Sequence, residues 1–325
     1  GRFAKIAVSA ATYWIDRPYD YLIPEELCES VQPGVRVFVP FGKGNRRSEG
    51  IVLAVTEHSD YEKVKPIIAV TDDSPVLSAD MIKLALFMRD RFFCTVYSAA
   101  RAMLPAGLWF DDDGKRRVQD KTVEMSRLCV PAADAAAAAE AKRRRSPQQA
   151  ALLEMLCSFE ALPSSDLLRH TGAKRPALKV LEKAGLVEFT HREVFRRPEV
   201  YVGELEPLPV LNAEQQQAFD GLSALETSGA AHAALLHGVT GSGKTSVYIH
   251  LIRRCLDMGR AAILLVPEIA LTPQMLRTFS SHFGDEIAVL HSSLSTGERY
   301  DEWKRSKQGK AHVVIGTRSA IFAPV

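Results

Sequence analysis

The 325-residue chain carries 41 Lys+Arg against 39 Asp+Glu, a formal net charge of +2, with 46% hydrophobic residues. This length and composition predict about two to three globular domains and exclude a fibrous or disordered chain, while the near-neutral balance leaves any nucleic-acid contact to local basic patches. No apolar run approaches the ~18 residues of a membrane span, no signal leader opens the chain, and Cys28, Cys94, Cys129, Cys157 and Cys255 stand singly, which argues against membrane insertion, a disulfide framework and a zinc site and makes the cytoplasm the default.

The start Gly1-Arg2-Phe3 lacks methionine and reads as the scar of a tag, so part of the native protein is expected to lie outside this sequence. Short β-rich runs follow: Lys5-Ile6-Ala7-Val8, Val35-Arg36-Val37-Phe38-Val39 and Gly50-Ile51-Val52-Leu53-Ala54-Val55. Pro33-Gly34 and Gly42-Lys43-Gly44-Asn45 form turns between them. A helix is predicted from Ser78 to about Phe93, with Met81, Leu84, Ala85 and Met88 toward the core. Residues 1–105 therefore read as a small β-barrel-like domain capped by a helix. Residues 106–118, containing Asp111-Asp112-Asp113-Gly114 and Lys115-Arg116-Arg117, read as a linker.

Residues 119–200 form the next unit. The alanine-rich run 132–141 ends in Lys142-Arg143-Arg144-Arg145 and is either a helical arm or a solvated spacer. Helix starts are predicted at Ser146-Pro147, Ser164-Ser165-Asp166 and Arg175-Pro176. Leu186-Val187-Glu188-Phe189 and Val194-Phe195 follow as two wing strands, giving a winged-helix pattern. Lys174, Arg175, Lys179, Arg192, Arg196 and Arg197 either meet phosphates or form an ordinary solvated basic face.

From residue 201 to the end, apolar runs at 233–236, 261–266, 287–290 and 313–315 alternate with helical segments at 245–258, 274–283 and 296–308. That alternation predicts a parallel sheet covered by helices. After the first run, Gly238-Val239-Thr240-Gly241-Ser242-Gly243-Lys244-Thr245 fills every position of a phosphate-binding loop. Its glycines let backbone N–H groups converge on phosphates, Lys244 supplies a positive charge and Thr245 offers a hydroxyl to Mg²⁺. An amide such as that of Gln215 can read adenine's edge. Thr272 and Gln274 follow the second run, and Thr317, Arg318 and Ser319 follow the last.

Leu211-Asn212-x-Glu214-Gln215, the loop 238–245, Val266-Pro267-Glu268-Ile269-x-Leu271-Thr272-Pro273-Gln274 and Gly316-Thr317-Arg318-Ser319-Ala320 together resemble the first motor lobe of superfamily 2 helicases, and most closely the bacterial PriA (primosomal protein N-prime) family. Tyr19-Asp20-Tyr21-Leu22-x-Pro24 and Val39-Pro40-Phe41-Gly42-Lys43 are similar to that family's domain for the 3′ end of a nascent strand. The resemblance implies a replication-restart helicase that uses ATP and Mg²⁺, moves 3′ to 5′, recognises stalled forks and initiates primosome assembly. Its implied partners are forked DNA, single-stranded DNA with a free 3′ end, single-stranded-DNA-binding protein, PriB and DnaT, in a nucleoid-associated setting.

By the same resemblance, Tyr19, Asp20, Tyr21, Gly42 and Lys65 hold the 3′-terminal nucleotide. Gln215, Gly238, Gly241, Ser242, Gly243, Lys244 and Thr245 hold ATP, with Thr245 on Mg²⁺ and Lys244 and Thr245 serving catalysis. Thr272, Gln274, Thr317, Arg318 and Ser319 contact single-stranded DNA. The family's acidic Walker B segment, second lobe and zinc module are expected beyond Val325, so a truncated RecA-like lobe over 201–325 is expected to bind nucleotide weakly and hydrolyse it negligibly. Another superfamily 2 translocase, a non-catalytic fork-binding adaptor and a small-molecule kinase are the alternatives, and the kinase leaves all motifs but the phosphate loop unexplained.

Overall fold

The computed structural model describes residues 1–110, 117–198 and 204–325. They form two compact units, residues 1–117 with 198–325 and residues 118–197.

The first part of the larger unit is an antiparallel sheet of β1 (Phe3–Val8), β2 (Tyr19–Leu22), β3 (Arg36–Phe41), β4 (Arg46–Thr56) and β5 (Ala69–Val70), in the order β2-β1-β4-β3-β5. Strand alternation sends Ala4, Ile6 and Val8 of β1 and Val37 and Val39 of β3 to one core, where Val52 and Tyr21 meet them. Gly50 sits where the Ile6 side chain crosses β4, a position with no room for a Cβ. The ladders leave β2 and β5 as edges, so the predicted barrel-like closure reduces to one short bridge. In it the Leu22 N–H donates to the Lys65 carbonyl at 2.9 Å and the Ile67 N–H to the Leu22 carbonyl at 3.0 Å.

Two helices follow, α1 (Ala79–Arg91) and α2 (Val96–Ala102). The Ser78 hydroxyl accepts from the Met81 N–H at 3.2 Å and that of Thr95 from the Ser98 N–H at 3.0 Å, satisfying donors that the helix starts leave free. Ile82 and Ala85 are the buried positions of α1, whereas Leu84, predicted to face the core, is exposed.

Residues 106–109 correct the predicted linker. They form a 3₁₀ turn (Ala106–Leu108) whose Gly107 and Leu108 are buried along with Trp109. The reason is Arg36, fully buried on β3. Its Nε donates to Asp72 Oδ2 at 3.0 Å, its Nη2 to Asp72 Oδ1 at 2.6 Å and its Nη1 to the Leu108 carbonyl at 2.6 Å. The guanidinium lies 5.5 Å from the ring centre of Trp109 and 4.9 Å from that of Phe110. Glu49 stands 3.4 Å from Nη1 and accepts a hydrogen bond of 3.0 Å from the Tyr97 hydroxyl. Burial raises the Glu49 carboxyl above its ordinary 4.5 despite Arg36 beside it.

The second unit contains β6 (Thr122–Leu128), α3 (Ala132–Lys142), α4 (Pro147–Leu156), β7 (Leu162–Pro163), α5 (Ser164–Thr171), α6 (Arg175–Lys183) and β8 (Val187–Glu193). Helix α3 replaces the arm-or-spacer expectation: Ala135 and Ala139 are buried against the Leu152, Leu153 and Leu156 cluster of α4, their small side chains allowing close approach. The predicted wing hairpin is not formed. β8 is one continuous strand that pairs with β6, which also pairs with β7, and Val194-Phe195 lies past its end. Arg175 donates to Glu124 at 2.6 Å, which holds that carboxyl below its ordinary range, so this cation is committed to the fold.

The last part of the larger unit runs α7 (Ala213–Thr227), α8 (Lys244–Asp257), β9 (Ala262–Leu265), α9 (Pro273–Phe283), β10 (Ile287–Leu290), α10 (Thr296–Lys307) and β11 (Val313–Gly316). The strands form a parallel sheet in the order β10-β11-β9 over a core of Ile249, Phe279, Phe283, Val289, Val313 and Ile315. Helix α10 covers the β10 edge with polar groups: Glu302 accepts from the Val289 N–H at 2.7 Å, and Arg305 donates to Glu302 at 2.8 Å and to the Ile287 carbonyl at 3.0 Å. The strand predicted at 233–236 is absent. This apolar run is no part of the three-stranded sheet, and Leu235 is left 87% exposed, because a strand exists only through lateral hydrogen bonds to a neighbour.

Arg36→Ala is expected to lower unfolding stability by about 3–5 kcal/mol, since it strands the buried Asp72 charge. Urea titration followed by tryptophan fluorescence measures this, and a loss under 1 kcal/mol would contradict the role assigned to Arg36. A carboxyl raised in the folded state favours folding fully below its unfolded value, and that contribution is lost as pH rises through the folded value. Glu49→Gln is therefore expected to flatten the fall in stability above pH 4.5, read from urea midpoints across pH 4 to 8.

Candidate functional site

The sheet of the N-terminal stretch carries a cavity of about 450 Å³ that brings together Tyr19, Asp20, Tyr21, Gly42 and Lys65. Each wall has a local cause. Tyr19 and Tyr21 alternate with Asp20 along β2. The Tyr19 ring meets Phe41 edge to face at 5.1 Å, while its hydroxyl donates to the Ile15 carbonyl at 2.6 Å. Tyr21 donates to the Pro40 carbonyl at 3.2 Å, and burial followed by the neighbouring Tyr19 pushes its phenol up to about 12, so it stays a neutral donor. The turn that ends in Asn45 gives Gly42 a φ of 71°, which glycine adopts without strain, and its carbonyl accepts from Lys65 Nζ at 2.8 Å.

Asp20 is the one carboxylate of the cavity among the described residues, and its side chain is only 2% exposed. Lys5, its cross-strand partner, donates to Oδ1 at 3.1 Å, and the Ser59 hydroxyl donates to Oδ2 at 2.8 Å. Each oxygen keeps a further lone pair for a hydroxyl donor. Sequence reasoning missed Arg17, Lys43, Tyr61 and Lys63, which also line the cavity; the Arg17 guanidinium lies 5.6 Å from the Tyr19 ring centre and 6.0 Å from that of Tyr61. The spacing of Lys43, Lys63 and Lys65 in an otherwise balanced chain was the available signal. The result is an aromatic recess with a cationic rim and one acceptor, a combination suited to a base, a phosphate and a hydroxyl.

In the phosphate loop, Gly241 and Gly243 adopt φ of 82° and 79°, and Gly243 immediately precedes α8. Gly238 and Gly243 also leave no room for a Cβ: one would meet the Ser242 hydroxyl and the other the Gln215 amide. The chain thus forms the tight cradle that a phosphate requires at a helix start. Lys244 folds back on this loop, its Nζ donating to the Gly238 and Val239 carbonyls at 2.6 and 2.9 Å, while Thr245 is exposed beside it.

Gln215 is placed against the loop by other bonds than the predicted one. It closes a capping box, its Oε1 accepting from the Asn212 N–H at 3.0 Å, and its Nε2 donates to the Ser242 carbonyl at 2.9 Å. Both ends of the amide are therefore engaged in fixing α7 to the phosphate loop.

Thr272 caps α9, accepting from the Met275 N–H at 3.2 Å, and Gln274 is exposed in that helix's first turn. Thr317 is buried, its N–H donating to the Leu290 carbonyl at 3.2 Å, whereas Arg318 and Ser319 are exposed at the carboxyl end of β11. Arg318 reaches Glu268, which follows β9, at 4.0 Å. The motif residues after β9 and β11 thus share the carboxyl edge of the sheet, where ligands of parallel sheets bind. Among the described residues no group of three metal-ligating side chains could hold a metal, and no helix is long and apolar enough to cross a membrane.

Comparison with known proteins matches the chain in two stretches. Residues 5–105 match the model of the 3′ DNA-binding domain (3′BD) family of PriA, and residues 209–325 match that of the type III restriction enzyme, res subunit. The chain is 34% identical over 382 aligned residues to the replication restart protein PriA of Bacillus subtilis, covering 99% of this chain and 47% of the relative. It is 32% identical over 332 residues to that of Chlamydia trachomatis, covering 99% and 42%. The Treponema pallidum protein is 48% identical over a shorter stretch of 115 residues, 35% of this chain and 17% of the relative. The chain spans less than half the length of these relatives. A 3′ DNA-binding domain joined to a helicase-type domain, with PriA relatives aligned along nearly the whole sequence, places the chain in the PriA family of replication restart proteins.

Proposed function

We propose that this chain recognises the free 3′ end of a DNA strand at a stalled fork and carries the first motor lobe of an ATP-dependent, 3′-to-5′ replication-restart helicase. The observation that carries the reading is the cavity that unites Tyr19, Asp20, Tyr21, Gly42 and Lys65 under a cationic rim. An aromatic wall favours a stacked terminal base, worth ~1–3 kcal/mol. Lys65, with Arg17, Lys43 and Lys63, attracts the backbone phosphate. Asp20 accepts a hydrogen bond from the terminal 3′-hydroxyl on an oxygen it already shares with Lys5 or Ser59. A 3′-phosphate there would face the carboxylate as a like charge.

The domains consistent with this reading are an end-binding domain reaching residue 110, a winged-helix domain over 118–197 and the motor lobe from 204 on. In the second, the helices α4, α5 and α6 with α3 packed on α4, beside a three-stranded sheet, support the winged-helix reading, with Lys174, Lys179 and Arg192 as exposed cations for phosphates. In the third, Gly238, Gly241, Ser242, Gly243 and Lys244 would hold the phosphates of ATP and Thr245 its Mg²⁺. Bound ATP supplies the phosphoryl group whose hydrolysis drives movement, and Lys244 contributes charge stabilisation once it leaves its loop carbonyls. Thr272, Gln274, Arg318 and Ser319 would meet single-stranded DNA, with Thr317 fixing their loop. Single-stranded-DNA-binding protein, PriB and DnaT would dock during primosome assembly on the nucleoid.

Forks ending in a 3′-hydroxyl are expected to bind at least about tenfold more tightly than forks ending in a 3′-phosphate, a difference of ~1.4 kcal/mol, and Asp20→Ala should erase the preference. Fluorescence anisotropy at matched salt measures this; equal affinities for the two ends would remove Asp20 from its role. The nucleotide side of the site is less prepared, because Lys244 and Gln215 are bound within the chain and the segment before the loop lies outside the sheet. ATP with Mg²⁺ is therefore expected to bind this chain more weakly than about 0.1 mM, corresponding to ~5.5 kcal/mol. Calorimetry tests it, and robust DNA-stimulated turnover that is lost in Lys244→Ala would sink the expectation.

A further inference from the structure

A second cavity, of about 340 Å³, lies within the larger unit between the end of the N-terminal stretch and the motor lobe. Among the described residues its lining includes Arg101, Arg117, Arg299, Trp303, Trp109 and Ser319 and contains no carboxylate. Three guanidinium groups with no carboxylate among the described wall residues make an electropositive recess, although Arg101 also acts on Glu49 behind the wall. The wall also holds polar atoms in want of an acceptor. Trp303 is 5% exposed, yet among the described residues its indole Nε1 has no hydrogen-bond partner, nor has Arg299 Nε. An indole N–H and a guanidinium N–H are donors only, and leaving them buried without acceptors is unfavourable. Arg299 is nonetheless held in place, its Nη2 donating to the Ser292 and Leu294 carbonyls at 2.9 and 3.3 Å, and Arg101 is stacked 5.2 Å from the Trp109 ring centre. Pre-positioned guanidinium groups and unpartnered donors on residues of one recess suit an anion rich in acceptor oxygens, and a phosphate group is one that guanidinium forks bind bidentately.

We propose that this recess is a phosphate-binding site formed by Arg101, Arg117, Arg299 and the Trp303 indole, separate from both the 3′-end cavity and the phosphate loop. A phosphodiester of a DNA strand and a free phosphoryl compound share this chemistry. Ser319 favours the strand, since it joins the recess to the exposed loop after β11 that the proposed function gives to single-stranded DNA; that choice of source rests on the proposed function.

The full chain contains three tryptophans, so its indole N–H cross-peaks form a small set in a ¹⁵N–¹H spectrum, and Trp303→Phe assigns the one concerned while keeping an aromatic ring in place. The Trp303 peak is expected to shift on titration with a 12-nucleotide oligothymidine, and the shift should vanish in Arg101→Ala/Arg117→Ala, whose replaced side chains are both exposed. The same variant should bind the oligonucleotide several-fold more weakly and lose about 1.4 from the slope of log affinity against log salt, for two phosphate contacts on a single strand. A shift with pyrophosphate but not with the oligonucleotide supports the site and overturns the strand as its source. No shift with either probe, or a shift and salt slope unchanged in the double variant, overturns the site. If the parent chain fails to bind the oligonucleotide at all while pyrophosphate still moves the peak, the proposed function fails and the recess stands.

Discussion

The guanidinium of Arg36 is the constraint on which the N-terminal part of the larger unit depends. A charge buried on a central strand costs several kcal/mol unless it is paired and its N–H groups are satisfied, so the chain around it has little freedom. Asp72 must return from the loop after β5 to meet it bidentately, and Leu108 must present its carbonyl from 36 residues further on. Trp109 and Phe110 then close over it. Residues 106–110 are thereby part of the first domain rather than a tether. The same turn carries Trp109, against which Arg101 stacks at the second cavity.

The helicase-type domain uses polar groups in a related way. Glu302 and Arg305 occupy the open edge of β10, so a strand that would otherwise expose its N–H row is covered by its own following helix. At the phosphate loop, one glutamine amide satisfies a helix cap and grips the loop carbonyl of Ser242, while Lys244 satisfies two more loop carbonyls. These bonds hold the loop in shape without phosphate. On the proposed reading, a nucleotide phosphate would compete with the Gly238 and Val239 carbonyls for Lys244.

Much of this was legible before any coordinates. The apolar runs that became β9, β10 and β11, and the helices between them, lie within one or two residues of their sequence positions, because buried parallel strands and amphipathic helices have periods that local sequence carries. The starts read at Ser146-Pro147, Ser164 and Arg175-Pro176 are those of α4, α5 and α6, because a start signal is local. The cavity residues Tyr19, Asp20, Tyr21, Gly42 and Lys65 came from motif resemblance, and their convergence follows from strand pairing that no local signal reports. Failures cluster where lateral partners decide. Residues 233–236 have the composition of a strand but no neighbour, Phe189 and Val194 are not two strands because β6 takes β8 whole, and the alanine run is a packed helix because α4 offers a leucine face.

By itself, then, the sequence determined the phosphate-loop motif, the alternation of helix and strand that follows it, several helix starts and the family to which the chain belongs. All of these are written in residue types at short spacing. Only the tertiary structure decided that Arg36 recruits residues 106–110, that Asp20 is held between Lys5 and Ser59, that Gln215 is spent on the loop, and that Arg101, Arg117, Arg299 and Trp303 face one recess. Each of those outcomes depends on a hydrogen-bonding or charged group finding its complement across many residues of chain. Burial sets that requirement, because it removes the water that would otherwise satisfy such groups wherever they stood.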